Sequence, residues 1–137
     1  MDYLASAKQR FANDLFATET TGVEILDVKP NYARCTLKIS TKHRNAMGAV
    51  MGGAIFTLAD FAFAVAANAE TLQTVSTNSS ISYLASSKGN ELFAETHCLK
   101  DGRTTCFFET LVTDEKNTLI AKISTVGTKL HSNKLEK

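Results

Sequence analysis

The spacing of apolar residues changes several times along the chain, and each change marks an element. In residues 2–16, Leu4, Ala7, Phe11 and Leu15 recur at three- and four-residue spacing. This predicts an amphipathic helix capped by Asp2, with residues 1–18 forming an N-terminal helical unit. The polar run Thr18-Glu-Thr-Thr-Gly22 ends it, and a short strand is expected at 23–28. Lys29-Pro30-Asn31 is turn chemistry, because proline presets φ and asparagine tolerates unusual backbone angles. From Tyr32 to Ser40 the alternation is strict: Ala33, Cys35, Leu37 and Ile39 fall on one face and polar residues on the other. That is the signature of a half-buried strand. After a loop over 41–51, the period changes. From Ala54 to Ala69 nearly every residue is small or apolar, with no glycine or proline, which predicts a helix of about 24 Å.

Four further strands are expected at 74–84, 91–100, 103–113 and 118–128. The turns between them are legible as Lys88-Gly89-Asn90, Asp101-Gly102 and Glu115-Lys116-Asn117. Asp-Gly between two alternating runs is a strong hairpin signal, since both positions accept positive φ. Residues 129–137 are polar and expected to fray. A helix apolar on every side has to be enclosed, and a sheet with one apolar face has to be covered. The expected answer is one α+β domain over residues 1–137, in which an antiparallel sheet of five to six strands curls around a long central helix. One small sheet cannot cover such a helix on all sides, so a second copy of the chain is expected to help.

Composition narrows the function classes. The formal net charge is +1, with 44% hydrophobic and 21% charged residues. This leaves no electrostatic footprint for nucleic acid or for an anionic membrane. Cys35, Cys98 and Cys106 are odd in number and form no paired motif. That speaks against a disulfide framework or a zinc cluster and fits a reducing, cytoplasmic setting. His43, His97 and His131 are scattered at no ligand spacing, so no metal is expected. Lys8, Arg10 and Asp14 interrupt the region where a secretion signal would need an apolar run. A membrane-spanning reading of residues 49–69 fails on Asp60, which would cost about 2.5–3.5 kcal/mol near mid-span.

Asp60 is the one charge inside the central helix, and Gly52-Gly53 stand just ahead of that helix. A glycine pair lets a ligand approach the backbone where the first helical N–H groups have no partner. Those donors and the positive end of the helix dipole suit a developing oxyanion. The structural alternative is an acid paired with an arginine or with backbone amides. The strand at 74–84 is crowded with Thr74, Ser76, Thr77, Asn78, Ser79, Ser80 and Ser82. It reads as a solvated edge strand or as a hydroxyl-lined groove beside the acid.

The pattern Asn45-x-x-Gly48-x-x-x-Gly52-Gly53-x-x-x-x-Leu58-x-Asp60, followed by an alanine-rich helix, resembles the hotdog-fold acyl-CoA thioesterases. The branch it resembles holds the phenylacetate-pathway and human thioesterase superfamily proteins. Ser80-Ile-Ser-Tyr83-Leu, Lys88-Gly89-Asn90-Glu-Leu-Phe-Ala94, Lys100-Asp-Gly102-Arg103 and Leu119-Ile-Ala121 follow in the same order. The resemblance covers residues 20–129. It implies a homodimer, or a tetramer built from it, with active sites at subunit interfaces and acyl-CoA as substrate. It implies no cofactor, since coenzyme A is part of the substrate. By position, Asp60 would activate water or attack the thioester, and the Gly52 N–H, helped by Gly53, would polarise the carbonyl. Asn45 would orient water or carbonyl, and Ser76 from the partner subunit would assist the water. Tyr83, the turn Ser86-Ser87-Lys88-Gly89 and the hairpin residues Lys100, Gly102 and Arg103 would meet the nucleotide end.

One departure from the family pattern concerns the residue before the glycine pair, where the family commonly has histidine and this chain has Met51. His43 is out of register and does not replace it. Losing one oxyanion donor costs roughly 10²–10³ in rate, which still leaves an enzyme. The rival readings are a catalytically silent acyl-CoA-binding protein, favoured by Met51, and a dehydratase, disfavoured by the missing histidine.

Overall fold

The computed structural model describes residues 1–130. Helix α1 spans Tyr3–Arg10, and Asp2 accepts a hydrogen bond from the Ala5 N–H at 3.0 Å. A π-helical turn covers Phe16–Thr21 and closes on Gly22 at φ 92°. Strands β1 (Val23–Lys29) and β2 (Tyr32–Lys38) precede the long helix α2 (Gly52–Ala67). Strands β3 (Thr74–Tyr83), β4 (Glu91–Asp101), β5 (Thr105–Asp114) and β6 (Leu119–Lys129) follow it. Every pairing is antiparallel, and the sheet order is β1-β2-β4-β5-β6-β3. This is the expected hotdog arrangement. No helix among the described residues is long and apolar enough to cross a membrane.

The alternation read from β2 is the one observed. Ala33, Cys35 and Leu37 are fully buried beneath α2 and abut Thr96, Ala94 and Leu92 of β4. Phe63 of α2 meets Phe108 of β5 edge-on at 5.2 Å, and Phe11 meets Phe61 at 5.6 Å. Burying side chains of this size contributes about 1.5–3 kcal/mol each. Phe11 is thus the anchor that draws the N-terminal segment onto the central helix.

Two expectations need adjusting. The first helix ends at Arg10 rather than running to 16. Leu15 and Phe16 are 51% and 64% exposed, so the periodicity past Phe11 has no core to face. Pairing continues through Lys129, whose N–H donates to the Thr104 carbonyl. The expected fraying therefore does not begin at 129, and residues 131–137 lie outside the described residues. As expected of one small sheet, α2 is not closed all round within one chain: Gly53, Phe56, Thr57, Asp60 and Ala64 are incompletely covered. Their spacing places them along one stripe of the helix.

Candidate active site

The loop before α2 is organised by its own side chains. Asn45 Oδ1 accepts from the N–H groups of Met47 (3.0 Å) and Ala49 (3.1 Å). The Arg44 guanidinium donates to the Gly48 carbonyl, and the Met51 N–H donates to the His43 carbonyl at 2.8 Å. His43 Nδ1 accepts from the Ser40 N–H at 3.0 Å, so Nε2 carries the proton and donates to the Thr21 carbonyl at 2.6 Å. His43 is committed to the loop, in keeping with its being out of register.

The helix then begins without a cap. Met51 stands at the capping position, offers no side-chain bond and is 56% exposed. The Ala54 N–H turns back to the Met51 carbonyl. The N–H groups of Gly52 and Gly53 make no hydrogen bond among the described residues. A Cβ on Gly53 would meet nothing within 4 Å, so the backbone there is open on its side-chain face.

Two helical turns on from Gly53, along the same stripe, Asp60 faces a cleft of about 210 Å³. Phe16, Phe56, Phe61 and Asp14 also line this cleft. Burial, and then the Asp14 carboxylate, push the Asp60 carboxyl above its ordinary value. No cation among the described residues offsets this. A half-buried acid with a raised pKa in a cleft is a candidate functional group. Asp14 escaped the sequence reading because the helix expected over 2–16 would have pointed it elsewhere.

Tyr83 ends β3 and reaches the start of α2, where its hydroxyl donates to the Gly52 carbonyl at 3.1 Å. A Cβ on Gly52 would lie 2.8 Å from that hydroxyl, so a larger residue there would displace the ring. Beside it opens a second cleft of about 240 Å³, lined by Val50, Ile55, Leu84, Ala85, Ser86 and Ser87 among others. Ser87 accepts the Gly89 N–H and donates to the buried Asp114. Asp114 also accepts the N–H groups of Lys116 and Thr118. Ser87 and Gly89 therefore shape the 86–89 turn, while Ser86 and Lys88 remain exposed on it. Ser76 is exposed on edge strand β3, next to a bulge between Ser76 and Asn78. Lys100 and Arg103 are exposed at the β4–β5 hairpin, which the Gly102 N–H closes onto the Thr105 carbonyl at 3.0 Å. One chain thus brings together Gly52, Gly53, Tyr83 and the 86–89 turn at the helix start. Asp60 lies along the helix, and Ser76 lies on the sheet edge.

The family model for the thioesterase superfamily matches residues 47–121, which hold the uncapped helix start, Asp60, the polar strand, the 86–89 turn and the β4–β5 hairpin. The chain belongs to the thioesterase superfamily. Among superfamily relatives, a protein of Archaeoglobus fulgidus described as a "Putative esterase" is 35% identical over 104 residues, 75% of this chain and 68% of its own. The acyl-coenzyme A thioesterase PaaI of Escherichia coli is 26% identical over 117 residues, 85% of this chain and 83% of its own. The solved structure of E. coli PaaI superposes with a TM-score of 0.82 at 20% identity, covering 93% of this chain and 96% of that one. A Streptococcus mutans protein, smu.793, solved bound to acetyl CoA, superposes with a TM-score of 0.70 at 27% identity, covering 78% and 87%. Among the described residues of this superfamily member, no group of three or more His, Cys, Asp and Glu side chains could hold a metal.

Proposed function

We propose that the protein is an acyl-CoA thioesterase in which Asp60 and the free helix-start amides carry the chemistry. The observation that supports this most is Asp60 itself, a carboxylate with no counter-ion among the described residues, facing a cleft on the stripe that begins at Gly53. The acyl-CoA substrate is consistent with the relatives, one named an acyl-coenzyme A thioesterase and another solved with acetyl CoA. Asp60 takes a proton from water as the hydroxide adds to the thioester carbon. The N–H groups of Gly52 and Gly53 hold the oxygen as it becomes negative. The C–S bond then breaks, and a thiol with a pKa around 8.5 leaves without needing a strong acid. Attack by Asp60 itself, through an anhydride that water then opens, uses the same groups. No step calls for a metal or cofactor.

The Asn45 side chain holds its loop through Oδ1, which leaves its amide N–H₂ to orient water or carbonyl. In a homodimer, the unpaired edge of β3 and the open stripe of α2 are the surfaces that a second copy covers. Ser76 of the partner subunit then joins the water, and Ser86, Lys88, Lys100 and Arg103 meet the nucleotide. A homotetramer would pair two such dimers. Light scattering that found a stable monomer would remove this assembly.

Thiol release is the deciding assay, run over short, medium, long-chain and aromatic acyl-CoAs. Free coenzyme A with wild type, and little with Asp60→Asn, supports the hydrolase. Tight binding without turnover, the outcome that Met51 favours, makes the protein a silent binder. An enoyl product makes it a dehydratase.

A further inference from the structure

We propose that Tyr83 is a positioning residue for the thioesterase site, acting through the Gly52–Gly53 peptide rather than by contact with coenzyme A. This rests on the hydrolase reading above. The Tyr83 hydroxyl donates to the Gly52 carbonyl at 3.1 Å. That carbonyl shares one peptide unit with the Gly53 N–H, which has no partner among the described residues, at a residue whose side-chain face is open. A carbonyl oxygen carries two lone pairs, so it takes the tyrosine in addition to the helix's own donor. Donation at one end of a peptide polarises the other, and hydrogen-bonded chains strengthen by about 10–30% per bond. The Tyr83 hydroxyl therefore makes Gly53 a better donor to the thioester oxygen and fixes the plane in which its N–H points.

Two features separate this from incidental packing. Tyr83 is 53% exposed, so its ring is not held in place by burial. The ring also sits directly on Gly52, where an added Cβ would lie 2.8 Å from the tyrosine hydroxyl and push it off the Gly52 carbonyl. The glycine and the tyrosine thus form one device at the only uncapped end of α2.

The expected size follows from the donor it tunes. One oxyanion donor is worth about 10²–10³ in rate, and 10–30% of that, taken on the logarithm, is about two- to eightfold. Tyr83→Phe keeps the ring and removes the hydroxyl. Its kcat should fall about two- to eightfold with KM unchanged. A second readout is the infrared stretch of the thioester carbonyl of acyl-CoA bound to Asp60→Asn enzyme. This band should move back toward its free-solution frequency when Tyr83→Phe is added. A raised KM with intact kcat would make Tyr83 a nucleotide contact and overturn the proposal. An unchanged kcat with an unmoved carbonyl band would overturn it as well. If Tyr83→Phe does not fold, 3-fluorotyrosine at position 83 supplies a stronger donor in the same shape. It should raise kcat, and no rise overturns the proposal. Failure of the underlying reading is distinguishable, because Asp60→Asn alone would then hydrolyse acyl-CoA at the native rate, which removes both.

Discussion

The two ends of helix α2 are treated in opposite ways. At and just past the C-terminal end, backbone carbonyls are met by side chains. Arg10 reaches across from α1 and donates to the carbonyls of Asn68 (3.1 Å), Ala69 (3.0 Å) and Glu70 (3.0 Å). The Asn68 side chain donates to the Ala64 and Thr74 carbonyls and accepts from the Gln73 and Thr74 N–H groups. A cation at the negative end of a helix, with the last carbonyls satisfied, is the stabilising arrangement. At the N-terminal end there is no side-chain cap, and two glycine amides have no partner among the described residues. The same helix therefore gains its stability at one end and keeps donors in reserve at the other. Unmet donors are costly in a scaffold and useful in a site that must bind developing negative charge.

That contrast can be broken deliberately. Asp60→Asn should lower thioester hydrolysis about 10²–10⁴-fold while leaving the denaturation midpoint near wild type, because it removes a base and no structural partner. Measured kcat/KM and urea melts check both halves. Asn68→Ala should do the reverse, costing about 2–4 kcal/mol of stability by stranding buried backbone groups. Activity per folded molecule should hold, as urea melts paired with titrated active enzyme would show. Arg10→Met keeps the helix-forming stem but loses the three carbonyl contacts, at about 1 kcal/mol in a partly exposed setting. A loss of activity larger than the loss of stability would mean that the two ends are not independent.

The smallest effect concerns pH. Burial and Asp14 raise the Asp60 carboxyl, and the base must be ionised to work. Activity should therefore fall on the acid side at a pH above the usual carboxylate range. Asp14→Asn removes the like charge, so that acid limb should move to lower pH. A pH–kcat/KM profile that did not move, or moved upward, would show that Asp14 does not act on the acid.

Much of this was readable before any coordinates. Period-two alternation placed β2 because Ala33, Cys35 and Leu37 bury one face against a helix, and Asp101-Gly102 marked the β4–β5 hairpin. Asp60 stood out because a charge in an apolar helix needs a reason. The end of α1 was not legible, since Leu15 and Phe16 continue the pattern without any core to meet. Nor was the dual use of the 86–89 turn, because Ser87 answers to Asp114, which is distant in sequence.

The chain by itself determined which segments are helix and strand, that the central helix must be enclosed, and where its one acid sits. Those are properties of local spacing and solubility. Only the tertiary structure decided that β3 takes the sheet edge beside β6, which carries Tyr83 to Gly52. It also decided that Asp14 returns to face Asp60 and that Arg10 closes the far end of α2. Such pairings depend on which elements become neighbours, and the sheet order that sets them is chosen by the whole core rather than by any one stretch.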